Sequence, residues 1–319
     1  MTAADVVVAD GVRKSWGDTL ALDSATFRVG PGVTGLLGAN GSGKTTTLGL
    51  LLGMHAPDAG TLSVLGMDPV TQGAEIRGLV GYAPEHETLP PDVAAYEVVA
   101  HLAEMRGLPR REAAGRASDV LFELGLGEER LRAVGTMSTG QKQRVKLAQA
   151  IAADPTLVLL DEPTNGLDPM QREEMLRLVR RVADELGIHV LLSSHLLEEV
   201  ERVADAVIIL DGGRAVAAGN VSDLQAGEGP TEVMVTLDAA SRKLTTALRA
   251  AKIGFQDLGG GRLLVTILND KTYDKLRDAI AASAVSLRSI ERRRETLEDV
   301  FFAAGDAARA EARTEAGSQ

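Results

Sequence analysis

From Val6 to Gly219, short runs of consecutive apolar residues alternate with segments whose apolar positions recur at helical spacing. Val33-Thr34-Gly35-Leu36-Leu37, Leu157-Val158-Leu159-Leu160 and Val190-Leu191-Leu192 are almost continuously apolar, the pattern of parallel strands covered on both faces. Asp92 to Asp154 differs. There Ala113, Ala117, Val120, Leu121 and Leu124 fall on one helical stripe with no strand pattern between them, which predicts a helical insertion between two strands. Apolar residues at 175, 178, 179, 182, 183 and 186 predict a one-faced helix packed on the sheet. An α/β core follows.

Past Gln225 the pattern changes. The small, turn-prone stretch Ala226-Gly227-Glu228-Gly229-Pro230 predicts a linker at 226–230, after a first domain over 1–225 whose helical part covers about 88–154. Beyond it, Thr231 to Leu237 reads as a strand, and Leu244, Leu248 and Ala251 mark a helix. Ile253-Gly254-Phe255, a turn at Gly259-Gly260-Gly261 and a strand over Leu263 to Leu268 come next. Tyr273, Leu276 and Ile280 give a second helix, Val285 to Ile290 a last strand, and Leu297, Val300 and Phe301 a closing helix. This β-α-β-β-α-β order predicts a ferredoxin-like α+β unit over 231–304, a fold used for regulation, docking or dimerisation and tied to no one chemistry. The tail 305–319, rich in Ala, Glu and Arg without period, is expected to fray.

Composition narrows the classes. The 319 residues suit two domains, and the absence of cysteine excludes disulfides, thiolate metal sites and cysteine nucleophiles. Apolar runs such as Val207-Ile208-Ile209-Leu210 are far shorter than the roughly 20 residues of a membrane-spanning helix. Met1 to Asp5 lacks the basic start and apolar core of a signal peptide, so the chain is expected neither to span nor to cross a membrane unaided. A net charge of -11 opposes a nucleic-acid footprint, and one Trp, three Tyr and five Phe leave few stacking platforms for bases.

Two sequence stretches carry chemistry. Gly38-Ala39-Asn40-Gly41-Ser42-Gly43-Lys44-Thr45 fits G-x-x-x-x-G-K-[ST], with an apolar strand before it and a helical run, Thr46 to Leu52, behind it. Glycines let the backbone wrap phosphates, N–H groups at the helix start bind anions, Lys44 neutralises phosphate charge and the Thr45 hydroxyl can ligate Mg²⁺. Leu157-Val158-Leu159-Leu160-Asp161-Glu162-Pro163 sets two carboxylates at the end of a buried strand, where a parallel sheet keeps its ligand crevice. Asp161 would hold Mg²⁺ and Glu162 would act as general base on the attacking water.

Together these stretches resemble the ATP-binding subunits of the ABC transporter family. Met137-Ser138-Thr139-Gly140-Gln141 is similar to the family signature Leu-Ser-Gly-Gly-Gln, Thr164-Asn165-Gly166-Leu167-Asp168 to the loop that crosses the family's dimer interface, and Ser193-Ser194-His195 to its switch histidine. The resemblance implies a P-loop NTPase fold with a RecA-like core, an antiparallel β subdomain and the helical insertion. It implies ATP and Mg²⁺, with nucleotide contacts from Gly38, Asn40, Gly41, Gly43, Lys44, Thr45 and Thr46 and an adenine-stacking role for Trp16. It further implies that ATP lies between Lys44 of one copy and Ser138, Gly140 and Gln141 of a second, head to tail, with Asp168 in the crossing loop and His195 at the γ-phosphate.

Two positions depart from the family pattern: Glu85, in Gly81-Tyr82-Ala83-Pro84-Glu85, replaces the usual Gln as a metal or water ligand, and Thr139 replaces a signature Gly. Both resemble the exporter group that moves drugs, antibiotics, lipids or polysaccharides through a separate membrane permease, as does the C-terminal extension with Glu295 to Phe302. That implies an ATPase at the cytoplasmic face of the membrane, held there by a transmembrane permease, with no nucleic-acid partner. A soluble ABC ATPase acting on ribosomes or DNA is the alternative, and a ligand-sensing role for the C-terminal unit is another. His55, His86, His101 and His189 are expected to be structural. Arg110-Arg111 and Arg292-Arg293-Arg294 are expected to be solvated faces.

Overall fold

The continuous apolar runs lie side by side. In the computed structural model, which describes residues 5–86, 89–226, 231–292 and 297–300, Val33–Leu37 (β3), Leu157–Asp161 (β6) and His189–Ser194 (β7) are neighbouring strands of a six-stranded sheet. Their contacts divide the chain into two compact units, Met1–Val221 and Ser222–Val300.

In the first unit the strands β1 (Val7–Trp16), β2 (Thr19–Val29) and β4 (Ala59–Val64) form a small antiparallel sheet in the order β2-β1-β4. The larger sheet adds β5 (Val80–Ala83), β8 (Ala206–Asp211) and β9 (Arg214–Asn220) in the order β5-β6-β7-β3-β8-β9, parallel except for the β8–β9 hairpin. The helices are α1 (Lys44–Leu51), α2 (Gly73–Leu79), α3 (Ala95–Met105), α4 (Arg110–Glu123), α5 (Thr139–Ile151), α6 (Pro169–Leu186) and α7 (Leu197–Val203). Val158, Leu160, Val190 and Leu192 join the core shared with α3 to α6, while Leu157, Leu159 and Leu191 join the core shared with α1 and the small sheet. Alternate residues of one strand thus feed two cores, and this removes the polar face a half-buried strand would show.

The helical insertion follows its stripe: Ala113, Ala117, Val120 and Leu121 are the buried residues of α4. Helix α6 starts earlier than its apolar run, at Pro169, because Asp168 caps it by accepting the Gln171 N–H at 2.8 Å. It buries Met175, Leu176, Val179 and Val182, while Leu186 emerges at its exposed end.

The second unit carries β10 (Thr231–Leu237), α9 (Arg242–Ala250), β11 (Phe255–Gly259), β12 (Arg262–Ile267), α10 (Asp270–Ser283) and β13 (Leu287–Arg292), after α8 (Val221–Ala226) at the boundary. Its strands are ordered β11-β12-β10-β13, all antiparallel, the ferredoxin-like arrangement. Val233, Val235, Leu244, Leu248, Val265 and Leu276 form its core. Several bounds differ from the pattern: the first unit ends at Val221 rather than 225, Ala226 closes a helix rather than opening the linker, and β12 runs from Arg262 to Ile267, leaving Leu268 outside it. The last strand begins at Leu287 because α10 ends in a left-handed turn at Ala284, φ 49°, and Val285 packs on the core before pairing starts. Ile253 is buried ahead of β11, whose residues after Phe255 are exposed at the sheet edge. Residues 297–300 are helical. Of the sequence expectations, most of the linker (227–230), Arg293, Arg294, Glu295, Thr296, Phe301, Phe302 and the tail 305–319 lie outside the described residues.

Candidate active site

β3, β6 and β7 end at one level: Leu37 pairs with Ser194 and Asp161 with Ser193. The loop that leaves β3 therefore reaches α1 beside the acids that close β6. Gly43 turns the chain into α1 at φ 106°, and a Cβ there would sit 2.6 Å from the Ala21 carbonyl oxygen; at Gly38 it would sit 2.6 Å from that of Leu210. Neither position takes a side chain without moving backbone.

Lys44 is buried, and its Nζ donates to the Gly38 and Ala39 carbonyls at 2.7 and 3.3 Å. It also stands 3.2 Å from Glu162 Oε1. The Thr45 hydroxyl donates to Asp161 Oδ2 at 3.3 Å. Asn40, Gly41 and Thr45 are exposed on the loop surface. Trp16, 44% exposed at the end of β1, directs Nε1 to Thr46 Oγ1 at 3.4 Å and meets His55 edge-on, with ring centroids 4.7 Å apart. An exposed ring beside the phosphate loop is available for stacking, and His55 supports it.

Asp161 is buried at the strand end. Its Oδ1 accepts the Ser193 hydroxyl at 2.7 Å, and that same hydroxyl oxygen accepts the Glu162 N–H at 2.9 Å. Burial first, then the charges of Glu85 and Glu162, push the Asp161 carboxyl above its ordinary value, against the pull of the Ser193 and Thr45 hydroxyls. Glu162 occupies the left-handed backbone region at φ 49°, a strained position for a side-chain-bearing residue. Its Oε2 faces His195 Nδ1 at 2.8 Å. Facing a carboxylate oxygen, Nδ1 is the donor of this pair, which fixes the ring's orientation.

Within the quoted stretches, the structure brings in two residues to which the sequence assigned no role, Tyr82 and Asn165. Burial, with the charges of Asp161 and Glu85, pushes the Tyr82 hydroxyl up to about 12. The Asn165 amide donates to Glu85 Oε1 at 3.0 Å, and the Glu85 carbonyl accepts Lys146 Nζ of α5 at 2.8 Å. Position 85 thus joins the strand β5 to the loop after β6 and to α5.

Comparisons with known proteins decide the family. A family model described as ABC transporter matches residues 22–165. Daunorubicin resistance ATP-binding protein DrrA3 of Streptomyces coeruleorubidus is 31% identical over 303 residues, covering 94% of this chain and 96% of that protein. The chain belongs to the ABC transporter family. Nod factor export ATP-binding protein I of Rhizobium etli is 37% identical over 226 residues, 70% of each chain. The solved structure of cbiO1 from Clostridium perfringens, part of the ABC transporter complex cbiONQ, aligns with a TM-score of 0.64 at 26% identity, covering 70% of this chain and 92% of that one.

In this ABC ATPase the signature residues open α5, where Thr139 lies against Gly166 of the loop after β6. Ser138 caps α5 in a closed capping box: its Oγ accepts the Gln141 N–H at 3.3 Å, and Gln141 Oε1 accepts the Ser138 N–H at 3.0 Å. Ser138 and Thr139 are exposed, whereas Gly140 is buried, and a Cβ there would meet the Gln171 amide of α6 at 3.2 Å. Asp168 is likewise exposed and serves as the α6 cap.

The residues present fit both ATP and Mg²⁺. Ser42 Oγ, in the phosphate loop, is buried without a hydrogen-bond partner, as is Glu162 Oε1, for which Lys44 is an ion-pair contact without hydrogen-bond geometry. Thr45 and Asp161 present oxygens to one point. No cluster of three or more His, Cys, Asp or Glu able to hold a metal exists among the described residues. A hard cation held by one or two protein oxygens together with phosphate and water, as Mg²⁺ prefers, is the donor set this chemistry suits.

Proposed function

We propose that this ABC ATPase powers export of a substrate through a separate transmembrane permease, binding Mg-ATP between two copies arranged head to tail. The observation that carries the reading is the meeting of five groups at the sheet end: Lys44 beside Glu162, Glu162 against His195, and Thr45 against Asp161. Lys44, Ser42 and the glycine loop hold the phosphates, while Trp16 offers a face to the adenine. Thr45 and Asp161 hold Mg²⁺, which when bound neutralises phosphate charge. Glu85 stands close enough to raise the Asp161 carboxyl and adds an oxygen on that side. Glu162 accepts the proton of the attacking water, and His195, oriented through its Nδ1–H, reaches the terminal phosphate only in its doubly protonated form, donating Nε2–H to a phosphate oxygen.

Export is supported by the relatives named for daunorubicin resistance and Nod factor export. A separate permease is supported by the neighbour that is part of an ABC transporter complex. No helix among the described residues is long and apolar enough to cross a membrane, so this part of the chain offers no pathway of its own. A groove of about 1500 Å³, lined by Met54, Val80, Tyr82, Val98, Leu102 and Met105, offers a permease segment an apolar seat, and Tyr82 connects it to Asp161 and Glu85. A head-to-tail pair gives the exposed Ser138 helix start a nucleotide to face, and dimer closure would then depend on ATP. The chain would sit at the cytoplasmic face of the membrane through that partner.

Two measurements test this. Glu162→Gln is expected to cut ATP turnover by about 100-fold or more while retaining ATP binding; wild-type turnover would remove Glu162 as the base. Copurification from membranes is expected to recover a permease chain, and a persistent ribosome-bound or DNA-bound pool with no membrane partner would overturn the transport reading.

A further inference from the structure

Glu199 is a buried carboxylate that the chemistry above does not use. It lies on α7 beside buried Val200 and Val203, with only 2% of the residue exposed. Burying a carboxylate is costly unless its oxygens are satisfied, so its partners report what the position is for. Oε2 accepts two hydroxyls, Thr164 Oγ1 at 2.8 Å and Ser194 Oγ at 2.6 Å. Oε1 has Arg172 Nε of α6 at 3.2 Å as an ion-pair contact without hydrogen-bond geometry.

The placement of those two hydroxyls is informative. Thr164 follows Glu162 by two residues, and Ser194 immediately precedes His195. Ser194 Oγ, while donating to Glu199, accepts the Leu196 N–H at 3.0 Å, so the backbone on both sides of His195 is tied to the same point. On the strand side, Ser193 Oγ holds the Glu162 N–H. The Glu162–His195 pair is thus framed twice, by Ser193 within the sheet and by Glu199 beneath the loop. Asn165, next to Thr164, is in turn bonded to Glu85.

We propose that Glu199 is a positioning residue for hydrolysis: by holding Thr164 and Ser194 on one carboxylate oxygen, it fixes Glu162 relative to His195 and makes the loop at 164–168 and the end of β7 move together. An acceptor with no proton of its own is what two donating hydroxyls require. A glutamine can still accept both through one oxygen but turns its NH₂ toward Arg172. An alanine releases both hydroxyls. The inference rests on the assignment of Glu162 and His195 above, which Glu162→Gln tests separately.

The experiment uses the full chain with steady-state ATPase kinetics, ATP affinity and thermal melting. Glu199→Ala is expected to lower kcat roughly tenfold while ATP affinity stays within about twofold, because Lys44 and the phosphate loop are untouched. Glu199→Gln is expected to restore most of that loss. Thr164→Val, which keeps the side-chain shape, is expected to lower kcat about threefold alone and to add nothing on the Glu199→Ala background, as two ends of one interaction should behave. Unchanged kcat in Thr164→Val and Glu199→Ala, with Glu162→Gln inactive, overturns the proposal and leaves the site assignment standing. Parallel losses of kcat, ATP affinity and melting temperature in both the Ala and Gln variants also overturn it, by showing a role in folding alone. If Glu199→Ala does not fold, Thr164→Val and Glu199→Gln decide.

Discussion

Helices α1 and α5 both open beside glycine and a hydroxyl, yet their first turns are built differently. α1 leaves Gly43 in the left-handed region with no side-chain cap, surrounded by buried Lys44, Asp161 and Glu162. α5 leaves Ser138 in a closed capping box on an exposed surface. The first turn has its donors free for an anion and charges arranged around the place where one would sit. The second is satisfied by its own side chains, so it gains a nucleotide role only through something brought to it from outside. The contrast separates a phosphate cradle formed within one chain from a helix start that, under the proposed head-to-tail pairing, would meet nucleotide only from a second copy.

Substitutions can break that contrast in a graded way. Lys44→Ala carries the largest expected effect, a loss of ATP affinity of roughly 100-fold, because a buried charge-assisted contact is removed and Glu162 loses its counterion; titration calorimetry showing unchanged affinity would contradict the phosphate-loop assignment. Gly43→Ala should follow: strain of about 1–3 kcal/mol and a clash with the Ala21 carbonyl should lower both melting temperature and ATP affinity. Ser138→Ala sharpens the other side. Losing the cap should cost about 1 kcal/mol of stability and leave ATP affinity of the isolated chain unchanged while turnover falls. Weakened monomer binding would mean that Ser138 touches nucleotide within its own chain.

Smaller effects test the acids and the ring. Because the Asp161 carboxyl is raised in the fold, the folded state holds its proton more readily than the unfolded state does. Stability of the nucleotide-free protein therefore falls as pH rises from the ordinary value of 3.8 through the raised one, and the loss persists at neutral pH. Asp161→Asn should accordingly raise the nucleotide-free melting temperature by roughly 2–4 °C at pH 7 while abolishing Mg²⁺-dependent turnover; a lower melting temperature would show that its hydroxyl partners outweigh desolvation. Trp16→Ala should weaken ATP binding by about fivefold. As the chain's single tryptophan, Trp16 should also report nucleotide binding by fluorescence, and an emission indifferent to ATP would remove it from the adenine site.

The phosphate-loop pattern was legible because Gly38 to Thr45 are contiguous, and the strands β3, β6 and β7 were legible because burial on both faces leaves unbroken apolar runs. β11 escaped full recognition because an edge strand with exposed residues 256–259 carries no apolar signature. The cross-links were not readable for a different reason. Ser193 with Glu162, Glu199 with Thr164, and Glu85 with Asn165 join segments that become neighbours only through the strand order β5-β6-β7, which no local period encodes. The sequence offers Ser138 as a signature residue; the structure adds its role as the cap of α5.

The central claim is that ATP completes its site between two copies. Light scattering of Glu162→Gln with saturating Mg-ATP tests it most directly, since blocked hydrolysis should trap the closed pair. The expected result is a doubled molecular mass with Mg-ATP that returns to the monomer value without nucleotide, and that is lost when Ser138→Ala is added. A monomer at every nucleotide concentration, with ATP bound, would contradict the shared site.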